Sequence, residues 1–244
     1  AIYNWQLRLN DRTRFEFRNF LNQYATDEVV HRVGQTLDQG NERDDNALHY
    51  QSRTVYSGQL SGLHQLGEAN NTTVTWAGGY NYVFRDEPDY SRYRYQRNIA
   101  EPGLPSRAYT VVIPPGGNPF DASRFFSELR ENTYMGSGQW ERSFQGRDTT
   151  RANQFKLRAG FYAEHKERDF ANRYFSYVKD NDREFNIDET LPVEQLFAPG
   201  NIRPGTGFAL EEGTNPLDRY TGRNTLLAGY VGVVAPISDK FSIS

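Results

Sequence analysis

Cysteine is absent from this chain, and methionine occurs once. Without cysteine there can be no disulfide framework, thiolate metal site or cysteine nucleophile. The compartment stays open, because oxidising compartments permit disulfides without requiring them. Long hydrophobic runs are missing too. The most apolar stretch, Leu226 to Ile237, is interrupted by Gly229, Gly232 and Pro236 and falls short of the roughly 20 apolar residues a membrane helix needs. Charge of one sign is also missing. With 28 basic and 31 acidic residues the formal net charge is −3, so there is no electrostatic footprint for nucleic acid. Enzyme signatures are absent as well: there is no Gly-x-Ser-x-Gly elbow, no His-Glu-x-x-His pair and no phosphate-binding loop. The histidines His31, His49, His64 and His165 are scattered, without the i, i+4 spacing of a helical metal pair. The chain is expected to be no enzyme and to need no cofactor.

Aromatic residues, by contrast, make up 14 % of the chain, and they alternate with polar ones. Mean hydropathy is low, −0.81. That argues against helical membrane spans but leaves barrels untouched, because a barrel's lumen-facing positions are polar. Residues Ile2 to Leu9 place Tyr3, Trp5, Leu7 and Leu9 on one face, and Asn10-Asp11 marks a hairpin. Strands are then expected from Thr13 to about Tyr24, Leu48 to Leu63, Thr72 to Arg85, Tyr134 to Phe144, Phe155 to Glu164 and Tyr220 to Ala235, with an eighth beginning at Phe241. The stretch from Thr72 alternates most cleanly. Val74, Trp76, Tyr80, Tyr82 and Phe84 share one face, and Thr73, Thr75, Asn81 and Arg85 the other.

Short turns are expected at Asn10-Asp11, Gly67 to Asn71, Gln145 to Thr150 and Pro236 to Lys240. Long polar connections are expected over Ala25 to Asn46, Asp86 to Glu131 and Arg168 to Arg219. Short and long connections alternate, as when one barrel end carries periplasmic turns and the other extracellular loops. A soluble β-sandwich also alternates apolar and polar positions, but gives no reason for every second connection to be so long. The expectation is therefore all-β: an antiparallel transmembrane β-barrel segment of about eight strands, residues 1–244 forming one stretch of barrel domain in contact with outer-membrane lipid. Tyr3, Trp5, Tyr80, Tyr82 and Tyr134 would sit at the membrane interfaces. The eighth strand looks cut short, so the chain is expected to be part of something longer.

Charged and aromatic residues at the loop bases are the candidate ligand contacts: Asp86, Glu87, Asp89, Arg92, Tyr93, Arg168 and Asp169. Ion pairing of the acidic cluster with Arg85, Arg92, Arg94 and Arg97 is the structural alternative. Asp180, Asp182, Glu184, Asn186, Asp188 and Glu189 place oxygens at alternate positions, as a Ca²⁺ loop would. The EF-hand pattern fails, because Phe185 stands where glycine is needed and Leu191 where glutamate is needed. A solvated acidic loop is expected there.

Several passages also resemble a known family in its own order. Arg85-Asp86-Glu87-Pro88-Asp89, followed by Arg92-Tyr93-Arg94-Tyr95, resembles the strand-to-loop passage of TonB-dependent outer-membrane receptors of the Bacteroidetes type. Ser57-Gly58-Gln59-Leu60-Ser61-Gly62-Leu63-His64 resembles the preceding hairpin. Leu157-Arg158-Ala159-Gly160-Phe161-Tyr162, with Lys166-Glu167-Arg168-Asp169-Phe170, looks like a later strand and its loop entry. Phe197-Ala198-Pro199-Gly200-Asn201-Ile202, and Asp218-Arg219-Tyr220 leading to Ala228-Gly229-Tyr230, are similar to the family's next loop and strand. The resemblance implies a bacterial outer-membrane barrel of about 22 strands, with a plug outside these residues. It further implies uptake of an extracellular nutrient (glycan, peptide or metal chelate), driven through TonB by an N-terminal region also outside them. A surface lipoprotein is a further candidate partner. The alternative is a non-transporting barrel subunit of an outer-membrane assembly or adhesion complex.

Overall fold

The computed structural model describes the chain apart from residues 68–70, 101–102, 104, 145–154, 239–240 and 244, and apart from the side chains of 236–244. The structure is all-β. Its strands are β1 (Trp5–Asn10), β2 (Thr13–Thr36), β3 (Asn41–Leu66), β4 (Thr72–Asn98), β5 (Thr110–Val111), β6 (Ser123–Phe144), β7 (Phe155–Lys179), β8 (Phe208–Glu212), β9 (Arg219–Ser238) and β10 (Phe241–Ile243). They form one antiparallel sheet in the order β1-β2-β3-β4-β6-β7-β9-β10, with β5 added to β4 and β8 to β7. Among the described residues the sheet is open, since no ladder joins β1 to β10.

The expected long connections are largely strand. Ala25 to Asn46 is the far half of a hairpin: Val29 pairs with Leu48, His31 with Asn46 and Thr36 with Asn41. Its turn is only Leu37 to Gly40, closed by Gln39 N–H donating to the Thr36 carbonyl at 3.1 Å, with Gly40 at φ +65°. Asp86 to Asn98 likewise continues β4, Ser123 to Thr133 opens β6, and Arg168 to Lys179 continues β7. The remainder of the expected loops is residues 99–122 and 180–218. These hold β5, β8, a single helical turn (Val193–Leu196) and two 3-10 turns. Of the expected short turns, the one at Asn10-Asp11 is present. The turn at Gln145 to Thr150 lies outside the described residues, as do parts of those at Gly67 to Asn71 and Pro236 to Lys240.

The ladders sort the side chains of the turn-proximal half onto two faces. Each residue paired with Val74, Trp76, Gly78, Tyr80 or Tyr82 shares its face, and so do alternate positions along each strand. On this face lie Phe15, Phe17 and Leu21 of β2, Tyr56 and Leu60 of β3, Tyr134 and Trp140 of β6, Phe155 and Phe161 of β7, and Leu227 and Val231 of β9. Rings meet across it: Phe15 to Trp76 at 6.3 Å and Tyr80 to Tyr134 at 5.1 Å between centroids. The other face carries Arg14, Glu16, Ser57, Gln59, Ser61, Thr75, Asn81, Gln139, Glu141 and Arg158.

The apolar band runs obliquely to the hydrogen-bonded rows. From β4 to β9 the row through Tyr82 passes Asn132, Glu167 and Arg223, and on β9 the apolar run begins four residues nearer the turn, at Leu227; from β2 to β4 the edge follows the row itself, Leu21–Tyr56–Tyr82. Four residues along the strand are roughly 13 Å, against roughly 14 Å across three strand spacings. Over β4 to β9 the edge of the band therefore lies near 45° to the strands.

At the opposite end the apolar face is covered by the protein itself. Tyr93, Tyr95, Val111, Ala122, Tyr177, Leu196 and Phe208 form a buried cluster, with Phe197 and Phe185 packed against it. Phe208 is 1 % exposed and Leu196 fully buried. Tyr177 and Phe197 stack at 4.1 Å, and Phe185 meets Phe208 edge-on at 4.9 Å. Burying such side chains contributes about 1.5–3 kcal/mol each, which is how an irregular segment becomes a fixed second layer. Gly117 and Gly213 let the two loop segments touch backbone to backbone. A Cβ on Gly117 would stand 2.5 Å from the Gly213 nitrogen.

Candidate functional site: the bulged far end of the fourth strand

A proline cannot donate to a ladder, so within a sheet it marks an edge or a bulge. Pro88 marks a bulge. The register of β4 shifts against β3 between Asp86 and Ser91, and against β6 between Glu87 and Tyr90. One extra residue in β4 reverses its parity. Beyond the bulge, Tyr93 and Tyr95 point to the face that carries Trp76 and Tyr80, and Tyr90, Arg92 and Arg94 point to the polar face.

The candidate residues around the bulge divide accordingly. Glu87, 9 % exposed, is on the polar face. It accepts from His49 Nε2 at 3.1 Å, from Gln51 Nε2 at 2.8 Å and from the Ser127 hydroxyl, with Arg85 at 3.9 Å. Burial pushes its carboxyl up, but the bonds from Ser127, His49 and Gln51 and the Arg85 charge outweigh burial and hold it below the ordinary carboxylate range. Asp89 takes a two-pronged bond from Arg124 on the opposite face, at 3.1 and 2.6 Å. The Asp86 carboxylate has no hydrogen bond or ion pair among the described residues; its backbone is paired with Ser52 and Glu128. Tyr93 is buried in the aromatic cluster, stacked on Phe197 at 5.3 Å; burial raises its phenol. Tyr95 donates to the Leu191 carbonyl at 2.7 Å, and burial with nearby Glu194 and Asp44 pushes it up to about 12. Both tyrosines are walls of the second layer.

Arg168 and Asp169 are not part of this group. Arg168 bonds Glu131 at 2.6 Å on β6, in the row of Val83, four residues nearer the turn than Glu87. Asp169 accepts from the Thr221 hydroxyl at 2.6 Å on the other face. Nor do the acidic residues beside Arg92, Arg94 and Arg97 pair as their sequence neighbourhood suggested. Arg94 bridges Asp45 at 2.9 Å and Asp121 at 3.0 Å, and Arg97 bonds Glu42 at 2.6 Å. Arg92 makes no ion pair among the described residues. Its guanidinium lies 4.0 Å over Tyr90 and donates to the Pro119 carbonyl at 2.8 Å.

His49, Gln51, Ser127 and Arg124 belong to the site but are not singled out by the sequence. The only local hint was Pro88; their approach depends on a ladder partner some forty residues away. In the 180–189 segment, Asp180 accepts from Gly205 N–H and Asp188 from Thr190. The described residues hold no cluster of three metal-ligating side chains.

No model of a known protein family matches this chain, and no curated protein matches its sequence.

Proposed function

We propose that this sheet is part of the wall of a bacterial outer-membrane β-barrel, in a TonB-dependent receptor that takes up an extracellular nutrient. The observation that carries the barrel reading is the apolar band on one face, oblique from β4 to β9, opposite a polar face. Strands in membrane barrels tilt about 45° from the bilayer normal, so a level band of lipid contact must cross hydrogen-bonded rows at that angle. From Thr72 to Phe84 is roughly 40 Å along the strand, or about 28 Å of height at such a tilt. That matches a hydrocarbon layer of about 25–30 Å.

The remaining strand length, Arg85 to Asn98 and its partners, then stands outside the bilayer. It carries the bulge, the second layer and the charged polar face, a place where ligands can be met before entering the lumen. The uptake reading rests on the ordered sequence resemblance. Among the described residues the edges β1 and β10 carry unpaired N–H and C=O rows that hydrocarbon does not tolerate; in this reading neighbouring strands of the same wall close them.

The test is a pair of measurements on the native host. Membrane fractionation should place the protein in the outer membrane, and growth on the nutrient it serves should be lost on deleting either its gene or tonB. Outer-membrane location with growth indifferent to tonB would replace uptake with a structural or adhesive role. Recovery in the soluble fraction would overturn the barrel reading itself.

A further inference from the structure

On the polar face beyond the bulge, the side chains around Ala47 leave a cleft of about 300 Å³. Its floor is one cross-strand row, Val30–Ala47–Arg92. Ala47 is the small member, and the gap it leaves is the cleft. The next row, Arg32–Asp45–Arg94, runs along its side, with the Asp45 carboxylate held by Arg94, and the rings of Tyr90 and Phe120 rise beside Arg92. Phe120 is 62 % exposed, a large apolar ring left facing solvent at the mouth.

The charges here are unevenly matched. Arg94 is neutralised by Asp45 and Asp121, and elsewhere on the outer half of the sheet Arg97 and Arg124 each hold a carboxylate. Neither Arg92 nor Arg32 pairs with one among the described residues, although Asp45 stands directly opposite Arg32 in the ladder. Arg92 is fixed all the same. Tyr90 lies under it, Phe120 is 5.7 Å away and the Pro119 carbonyl takes one of its N–H groups. Its Nε is buried without a hydrogen-bond partner. An immobilised guanidinium that makes no ion pair among the described residues, beside a second such arginine, an apolar floor and two rings, is complementary to an anion carried on an apolar or ring-shaped body.

We infer that this cleft is a binding site for a ligand carboxylate, with Arg92 and Arg32 as its charge partners and Tyr90 and Phe120 as platforms for the body that bears it. The inference rests on the receptor reading for the source of the ligand, but not for the binding itself. Two sources share this chemistry: an acidic sugar, and the free C-terminus of a peptide.

The experiment is calorimetric titration of the full-length protein in detergent with D-glucuronate, glucose, an N-acetylated dipeptide and the same dipeptide amidated. The expected result is binding of at least one acid, at least about tenfold tighter than its neutral analogue, and weakened by added salt. Whichever acid binds identifies the source. Arg92→Gln should remove that preference, Arg92→Lys should keep part of it, and Arg183→Gln, at an exposed loop position, should leave it unchanged. Heat-modifiability on gels shows whether each variant is folded. Equal affinity for acid and neutral partners, no binding of either acid, or a preference that survives Arg92→Gln in a folded protein would each overturn the site. The host-cell growth test fails or succeeds independently, so loss of the receptor reading and loss of the cleft are told apart.

Discussion

Glu87 and His49 lie 3.1 Å apart across the β3–β4 pairing, at the point where β4 takes in one extra residue. The carboxylate is buried there among donors, and its pKa is lowered from an ordinary value near 4.5. A carboxyl whose folded pKa is depressed gives stability that is fully present above its unfolded pKa and lost as pH falls through the folded one. The far half of β3 and β4 should therefore hold firm at pH 6 and loosen as the pH falls below the ordinary carboxylate range, while the apolar half is unchanged. Hydrogen exchange at residues 44–52 and 86–95 checks this. Glu87→Gln should flatten the pH dependence, and Glu87→Ala, which strands three donors, should cost about 1–3 kcal/mol locally.

Parity can be tested one residue at a time. Leu60 is on the apolar face and Ser61 on the polar one, where it stands opposite Glu16 and Ala77. Leu60→Arg should cost about 2–4 kcal/mol in a lipid-reconstituted protein and Ser61→Arg close to nothing. Urea unfolding from vesicles measures both. Equal costs would mean that the two faces do not meet different solvents.

The second layer should melt without the sheet. Phe208 is a ring packed by Tyr177, Phe185 and Phe197, and truncating such a residue costs about 3–5 kcal/mol. Phe208→Ala is expected to expose residues 180–212 to protease while the turn-proximal strands stay resistant. Gly117→Ala should have a similar, smaller effect, because its methyl would press on the Gly213 backbone. Limited proteolysis followed by mass spectrometry reports both.

The part of the sheet legible in the sequence is the part with two unlike faces. Val74 to Phe84 alternates because one side is apolar and the other polar, and its register follows from that pattern. Past Arg85 the contrast fades: Asp86, Ser91, Arg92 and Arg94 put polar groups on both faces, and Pro88 looks like the end of a strand. The same holds for Ala25 to Thr36, where Val29, Val30 and Val33 were the one hint of extended structure. These stretches are held as strand by distant pairing, such as His31 with Asp44 at 2.8 Å and Arg97 with Glu42, and no local pattern announces it. Glu87 was legible as a charged residue of interest. Its partners His49 and Ser127 were not, since only the folded ladder brings them to it.

Sidedness is set by the same register. The Leu37–Gly40 turn and residues 105–120 and 180–207 belong to one end, and the Asp11-Arg12 turn to the other. Single cysteines at Gln39 and Asn181 should react with an impermeant thiol reagent on intact cells, and one at Asp11 should react only after the outer membrane is opened. Labelling of Asp11 on intact cells would reverse the topology.

The most direct measurement of the central claim is a nitroxide scan along Thr72 to Phe84 in the protein reconstituted into vesicles. Collision with lipid-soluble oxygen and with a water-soluble nickel complex is read at each position. The expected result is a period of two, with oxygen access high at 74, 76, 78, 80 and 82 and nickel access high at 73, 75, 77, 79 and 81. Depth along the oxygen-accessible set should peak between 76 and 80. Uniform nickel access at both parities, or the opposite parity, would contradict a membrane-facing sheet.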